Sequence, residues 1–584
     1  MRSFYEAIQS FHLTEKVVFY LLLILAIATG LALLSKLNNR FMATVPDFGG
    51  TITEGIVGVP RFVNPVLALS EPDKDLVSLV FSGLIKTTPD GNTVGDLSGE
   101  YTISEDGRTY TFTLKDNIYF HDGEPVTTDD VEFTIGRIQD PTVKSPKRPI
   151  WDGVLINKMD SRRISFTLKQ PYAPFIENFT VGIIPRHIWK DIPPDEFSFS
   201  EFNVDAVGSG PYEIKKVKRN SYGLPTYYAL RAFSEYSLGK PFIKNITLNF
   251  YQSEVELLEA FENGDIGGLS GISPENLKGL VGSKSKIVAS TLPRVFSVFF
   301  NQNQAAVFLN KEVREALSVA VDKDRIVKDV LFGYAAVIDS PVPATNRATA
   351  LSENLEENPG ENPEENPDEL AGNPETLTGT DKALAILSKA GWTLNPKTGI
   401  MEKKKGNNTT TLSFSLATGD AAELKRTAEL IKEDWEKIGA AVDMKIFEIG
   451  DLNQNVIRPR KFDALFFGEI VGREFDLYPF WHSSQRNDPG LNIALYANIS
   501  ADKILENLRL TQNREERTAK AKEFEILLKT DAPATFIYSP DFIYIIPEKL
   551  QNVRLGELSS PGERFLNVHE WYIETNKVWK FFTE

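Results

Sequence analysis

The hydrophobic pattern divides the chain into three kinds of segment. Val17–Leu34, VVFYLLLILAIATGLALL, carries no charge and is bracketed by Lys16 and Lys36. As a helix it spans roughly 27 Å at 1.5 Å per residue, close to the thickness of a bilayer core. An uncleaved anchor and a cleaved signal peptide both produce such a run. Its length, and the lack of a small-x-small site after it, favour the anchor. A core helix of a soluble protein would keep a polar stripe. Arg2 and Lys16 face Lys36 and Arg40 across the run, so the positive-inside rule barely decides orientation. Residues 1–16 are placed in the cytoplasm because the rest of the chain has the traits of an exported protein. Residues 35–50, ending in Gly-Gly, are expected as a short tether.

Beyond the tether, periods of two and of 3.6 alternate. Tyr110, Phe112 and Leu114 interleave with threonines, which predicts a strand with one buried face. Asp106-Gly107 before it suits a tight hairpin turn. Thr127 or Thr128 can cap a helix whose first turn holds Asp129 and Asp130. Ser253 and Glu256 form a capping-box pattern, and Asp322 can cap another helix. Leu424, Ala428, Ile431, Trp435 and Ile438 are spaced by four, three, four and three, which predicts one buried helix face. Further strands are read at 246–251, 295–303, 462–467 and 534–549.

Residues 344–380 follow neither period. Asn-Pro recurs there among many glutamates, without aromatic residues, so a disordered acidic insertion is expected. Calcium-ligand spacing is absent from it.

The 584 residues exceed what one core usually supports, so two or more lobes are expected. The net charge of −16 argues against nucleic acid as a partner. There is no cysteine, hence no disulfide, thiol nucleophile or lipid-modified cysteine. The five histidines show no HExxH spacing, and no P-loop or GxGxxG precedes a helix, so neither a metal site nor a cofactor is expected.

Longer motifs narrow the reading. Asp106–Leu114 (DGRTYTFTL), Phe120–Thr127 (FHDGEPVT) and Asp130–Phe133 resemble the "DGxTYTFxL" and "FHDGxPxTxxDVxF" patterns of the extracytoplasmic solute-binding proteins that serve ABC importers of oligopeptides, dipeptides and nickel. Val207–Tyr212 (VGSGPY) is similar to that family's "iGTGPY". The stretch VREALSVAVDKDRIVKDVLFGYA is similar to its "vRqAlayAiDr..iv..vl.G.a". The resemblance implies an α/β, two-lobed, periplasmic-binding-protein-like fold of class II type with an extra subdomain, preceded by the N-terminal transmembrane helix. Lobe I is expected from 51–95, 205–292 and 536–584, an accessory subdomain from 96–204, and lobe II from 293–535.

It also implies a function without catalysis. A membrane-anchored, monomeric binding protein would capture a peptide by hinge closure and deliver it to the permease and ATPase subunits of an ABC transporter. A surface hydrolase using clustered carboxylates, or a sensory or structural protein that kept the fold, are the alternatives. The ligand is expected beside residues 468–484, GEIVGREFDLYPFWHSS. Relatives carry there an acidic-aromatic motif whose first Asp meets a peptide's α-amino group. Glu474 and Asp476 are the nearest match, and Glu469 is a further candidate. An acid in a desolvated cleft needs a cation, which an ammonium supplies. Pairing of Glu474 and Asp476 with Arg473 at the surface is the competing reading. Trp481 as an apolar wall, Ser483, Asn492, Asn301 and Asn64 complete the expected ligand-binding set. Asn64 serves equally as a turn residue and Asn301 as a strand-end cap.

Overall fold

The computed structural model describes residues 12–277, 280, 284–343, 378–473, 476–556 and 558–582. The expected disordered insertion therefore lies outside the described residues, apart from its last three positions. There Thr378 accepts a hydrogen bond from the Asp381 amide and starts a helix, Gly379–Lys389.

Helix α1, Leu13–Phe41, extends the predicted anchor at both ends, and its apolar side chains are exposed along its length. The segment expected as a tether is ordered. It completes α1, forms strand β1 (Met42–Pro46), and then enters strand β2 (Gly49–Val57) of the first sheet. Helix α2, Glu71–Val80, follows with Ser70 as its cap.

The accessory subdomain is a four-stranded antiparallel sheet. Strands β3 (Ser98–Ile103) and β4 (Thr109–Leu114) form the predicted hairpin. Gly107 sits at its turn with φ +67°, where a side chain would be strained. Helix α3 (Thr128–Gln139) is capped by Thr127, and β5 (Leu155–Lys158) and β6 (Arg163–Thr167) finish the sheet. Tyr110, Phe112 and Leu114 are fully buried, with Phe112 and Phe179 ring centroids 4.5 Å apart.

Lobe I resumes with β7 (Tyr212–Arg219), β8 (Pro225–Ala232), β9 (Ile243–Tyr251), β10 (Gly268–Ser270) and β11 (Ser285–Thr291). Lobe II begins at β12 (Arg294–Phe300). It continues through helix α4 (Lys311–Ala320), β13 (Ala335–Val337), β14 (Ser413–Gly419), helix α5 (Ala422–Lys437), β15 (Ala441–Phe447), β16 (Ala464–Ile470) and helix α6 (Ile499–Leu510). On α5, Ala428, Ile431 and Trp435 are buried as the spacing predicts, and so is Ile438 at its C-cap.

One strand joins the lobes. β17, Ala534–Pro547, is 14 residues long and almost wholly buried. Its first half pairs with β12 and β13 of lobe II, and its second half with β10 and β11 of lobe I. The apolar run on both faces, rather than alternation, is what a strand buried on both sides requires. The chain crosses between lobes a second time beside it, at Leu292-Pro293. Leu292 donates its amide to Pro540 at 2.9 Å, and Thr291 Oγ1 donates to Asp541 at 2.8 Å. After β17, a last strand, β18 (Thr575–Trp579), returns to pair antiparallel with β1.

The family-like motifs have structural work in lobe I. Gly210 donates its amide to Val80 at the end of α2, and a Cβ on Gly208 would collide with the Val80 carbonyl. His121 ties this loop to the FHDG turn. Its amide donates to Gly208, its Nε2 lies 3.0 Å from the Gly210 carbonyl, and its Nδ1 accepts from the Gly208 amide at 3.4 Å. Nδ1 accepts only in the neutral tautomer, in agreement with a pKa that burial lowers to about 4. Deeper in, Arg564 forks between Glu54 of β2 and Asp75 of α2, and Tyr544 donates to Glu54 at 2.8 Å. Burial opposes the Arg564 charge, but the two carboxylates outweigh it and hold the guanidinium protonated.

Candidate functional site

The lobes face each other across a cleft that forms one chamber, and a second chamber lies beside it. The larger, about 740 Å³, is walled on one side by the accessory subdomain through Pro149–Val154 and Tyr172–Asn178. On the other side stand Val471, Asp476, Tyr478, Glu506 and Arg509 of lobe II. The smaller, about 350 Å³, lies within lobe I between α2, the 147–151 turn and Glu563. Ile150, Glu177 and Asn178 border both.

Among the polar contacts between described residues that bridge the cleft, two stand out. Tyr172 donates its hydroxyl to Asp476 at 2.9 Å, from the accessory subdomain to lobe II. The same carboxylate takes three hydrogen bonds from Arg509 of α6, the shortest 2.6 Å, and the Arg509 guanidinium lies over the Tyr172 ring. Burial raises the Tyr172 pKa and the adjacent carboxylate raises it further, so the hydroxyl stays a donor. In the second contact, Arg473 of lobe II pairs with Glu563 of lobe I and approaches Glu177 of the accessory subdomain at 3.9 Å. Burial raises the Glu563 pKa against the opposing charge of Arg473. Tyr172, Arg509, Glu177 and Glu563 were not singled out from the sequence. They come from segments up to 304 residues from their partners and carry no local motif.

The sequence-derived candidates fall into different surroundings. Asp476 is half-buried and paired with Arg509, and Arg473 pairs with Glu563. Glu474 lies outside the described residues. Asn64 is fully buried, donating to Asn203 at 3.0 Å and accepting from the Val66 amide at 2.9 Å, so it shapes its own loop. Asn301 donates to the Arg460 carbonyl and accepts from the Asn303 amide, as a strand-end cap does. Asn492 donates to the His482 and Tyr496 carbonyls and accepts from the Tyr496 amide. Ser483 donates to Asp502 at 2.6 Å. Trp481 packs among Phe299, Tyr496 and Phe536, with its indole N–H buried and without a hydrogen-bond partner among the described residues.

Glu469 differs from all of these. It is 6% exposed, and neither carboxylate oxygen has a hydrogen-bond partner among the described residues. Burial raises its pKa well above the usual carboxylate value, and Arg460 opposes this only in part. It sits near the end of β16, opposite Val295 where lobe II begins. Val471, two residues on and just past the end of β16, lines the larger chamber. In the smaller chamber, burial and the neighbouring charge of Lys74 lower the pKa of Lys147. Among the described residues no group of His, Asp and Glu is gathered to hold a metal ion.

Residues 67–490 match the family model for bacterial extracellular solute-binding proteins, family 5. The chain belongs to that family. Its members include the oligopeptide-binding protein AppA of Bacillus subtilis, 26% identical over 569 residues that cover 96% of this chain and 99% of that protein. The nickel-binding periplasmic protein of Escherichia coli is 28% identical over 421 residues, 70% of this chain and 72% of its own. Among solved structures, AppA of B. subtilis in complex with a nonapeptide superposes with a TM-score of 0.64 at 25% identity, covering 91% of this chain and 100% of that one. The substrate-binding protein CtaP of Listeria monocytogenes shares the fold, with a TM-score of 0.71 at 23% identity over 90% of this chain and 100% of that one. The family 5 assignment makes this chain a solute-binding protein of an ABC importer, with the two-lobed mixed α/β fold. Its one apolar helix that could cross a membrane, among the described residues, is α1.

Proposed function

We propose that this family 5 protein is held at the membrane by α1 and captures peptides in the cleft. It would hand them unchanged to the permease and ATPase subunits of its transporter. The observation that carries this reading is the chamber walled by both lobes and bridged by Tyr172–Asp476 and Arg473–Glu563. A cavity of that construction holds its contents only when the lobes are together, which is hinge capture. Its 740 Å³ falls within the ~300–1,000 Å³ of small-ligand sites, which favours a short peptide in this closed arrangement. Peptide as cargo is supported by the near full-length match to the Bacillus oligopeptide-binding protein.

Glu469 is the candidate for the peptide ammonium, since a cation relieves a desolvated carboxylate. Lys147 of the smaller chamber would meet a carboxylate. Asp476 serves closure through Tyr172 and Arg509. No chemistry on the cargo is required, and a single copy of the chain suffices.

Mass spectrometry of ligand released from the purified protein, followed by thermal shift with that ligand, tests the reading. A bound peptide that raises the melting temperature is expected, because a ligand selecting the closed form stabilises it. Stabilisation by nickel–histidine but by no peptide would overturn peptide as the cargo while leaving the family role intact.

A further inference from the structure

The β1–β18 ribbon lies where α1 ends, and its composition differs from the rest of the surface. Met42, the residue after the helix, stands opposite Trp579, and Pro46 stands opposite Thr575. β18 therefore runs back toward the end of α1, and the turn Lys580–Phe582 follows it. Trp579 is 54% exposed and Phe581 84% exposed. The other six tryptophans, Trp151, Trp189, Trp392, Trp435, Trp481 and Trp571, are all 2% exposed or less. The chain carries a net charge of −16, yet Lys36 and Arg40 stand near the end of α1, Lys577 lies on β18 and Lys580 directly follows it.

The depth of the ribbon follows from helix geometry. From the middle of Val17–Leu34 to Met42 is roughly 25 Å at 1.5 Å per residue, with the helix near the membrane normal. A bilayer including its headgroups extends about 20–22 Å from its centre. The backbone at Trp579 thus stands about 3–5 Å beyond the headgroup layer, within reach of it for an indole side chain. Phe581 lies two residues further along the chain, in the turn that follows β18. Aromatic rings and basic side chains are favoured at headgroup depth, the rings by their amphipathic character and the cations by anionic lipid.

We propose that the β1–β18 ribbon is a phospholipid-docking site. Trp579 and Phe581 enter the headgroup layer beside α1, and Lys36, Arg40, Lys577 and Lys580 face lipid phosphates. The soluble body then rests on the bilayer instead of swinging on a leash. This rests on the reading of α1 as a membrane anchor.

The full chain, reconstituted into vesicles of phosphatidylcholine and phosphatidylglycerol, provides the test. A portion of the lipid is brominated near the headgroup end of its acyl chains, and tryptophan emission is recorded alongside flotation of the vesicles. The protein should float with the vesicles, and brominated lipid should quench one emission component. That component should be lost in Trp579→Phe, a change that keeps an aromatic ring and leaves the fold in place. Flotation with no quenching, or with equal quenching in Trp579→Phe, overturns the docking proposal and leaves the anchor standing. Failure to float overturns the anchor reading and the proposal with it.

Discussion

Replacing Tyr172 with phenylalanine isolates one cross-cleft interaction. The hydroxyl donates 2.9 Å to Asp476, and these two residues belong to opposite sides of the cleft. The bond therefore exists only when the lobes are closed. A hydrogen bond to a charged group contributes about 1.5–3 kcal/mol. Asp476 keeps its three bonds from Arg509 in the variant, and the Phe ring keeps its place beneath that guanidinium. The loss should therefore fall at the lower end, about 1.5 kcal/mol, or roughly a tenfold shift of the closing equilibrium toward open. For a protein that is mainly open without ligand, the dissociation constant rises by the same factor. Titration calorimetry with the co-purified ligand reads that factor. Small-angle scattering of the unliganded protein reads any change in the closed fraction. The melting temperature of the unliganded variant should change little, because no lobe core is touched. An affinity within twofold of the parent, with an unchanged scattering profile, would refute the assignment of Tyr172 to closure.

Three further outcomes are expected. Glu469→Gln should weaken peptides with a free α-amino group by about 2–5 kcal/mol while sparing N-acetylated ones, read by calorimetry; equal losses for both would remove Glu469 from the site. Arg564→Met strands Glu54 and Asp75 in the lobe I core and should cost about 3–5 kcal/mol in denaturant unfolding; a loss under 1 kcal/mol would contradict the buried fork. The third concerns pH. His121 has its folded pKa lowered from 6.5 to about 4, so the unfolded chain binds more protons between those values. Stability from the neutral ring is complete above pH 6.5 and is lost as the pH falls toward 4, about 3 kcal/mol in all. His121→Ala should lower the slope of stability against pH in that window, leaving the contribution of His569, which burial lowers in the same way, and the opposing one of the raised carboxylates Glu469 and Glu563. An unchanged slope would refute the neutral-ring role.

Local regularities were legible in the sequence where the physics is local. Tyr110, Phe112 and Leu114 announced a half-buried strand, and the α5 stripe announced its own face. Thr127 and Asp322 cap the helices they were expected to cap. The ligand-binding set was less legible, because side-chain environment depends on distant partners. Asn64 is satisfied by Asn203, 139 residues away, and Asn301 by Arg460, 159 away. No local pattern distinguishes such an asparagine from one facing a ligand. Glu469 and Asp476 read alike as acids near a strand end, yet one has no hydrogen-bond partner among the described residues and the other is held by Arg509. The pairing of β1 with β18 joins residues more than 500 apart. Its two short strands carry no period strong enough to reveal it.

The two side-by-side crossings at Leu292-Pro293 and Pro540-Asp541 have a mechanical consequence. Stitched to each other by backbone and side-chain bonds, they form a spine that bends more easily than it twists. The halves can open like a book, but they cannot swivel freely against each other. An arriving guest therefore meets walls that close along one path, and less rotational freedom is left to lose on capture. Part of the order that recognition demands is set when the spine folds, long before any cargo arrives.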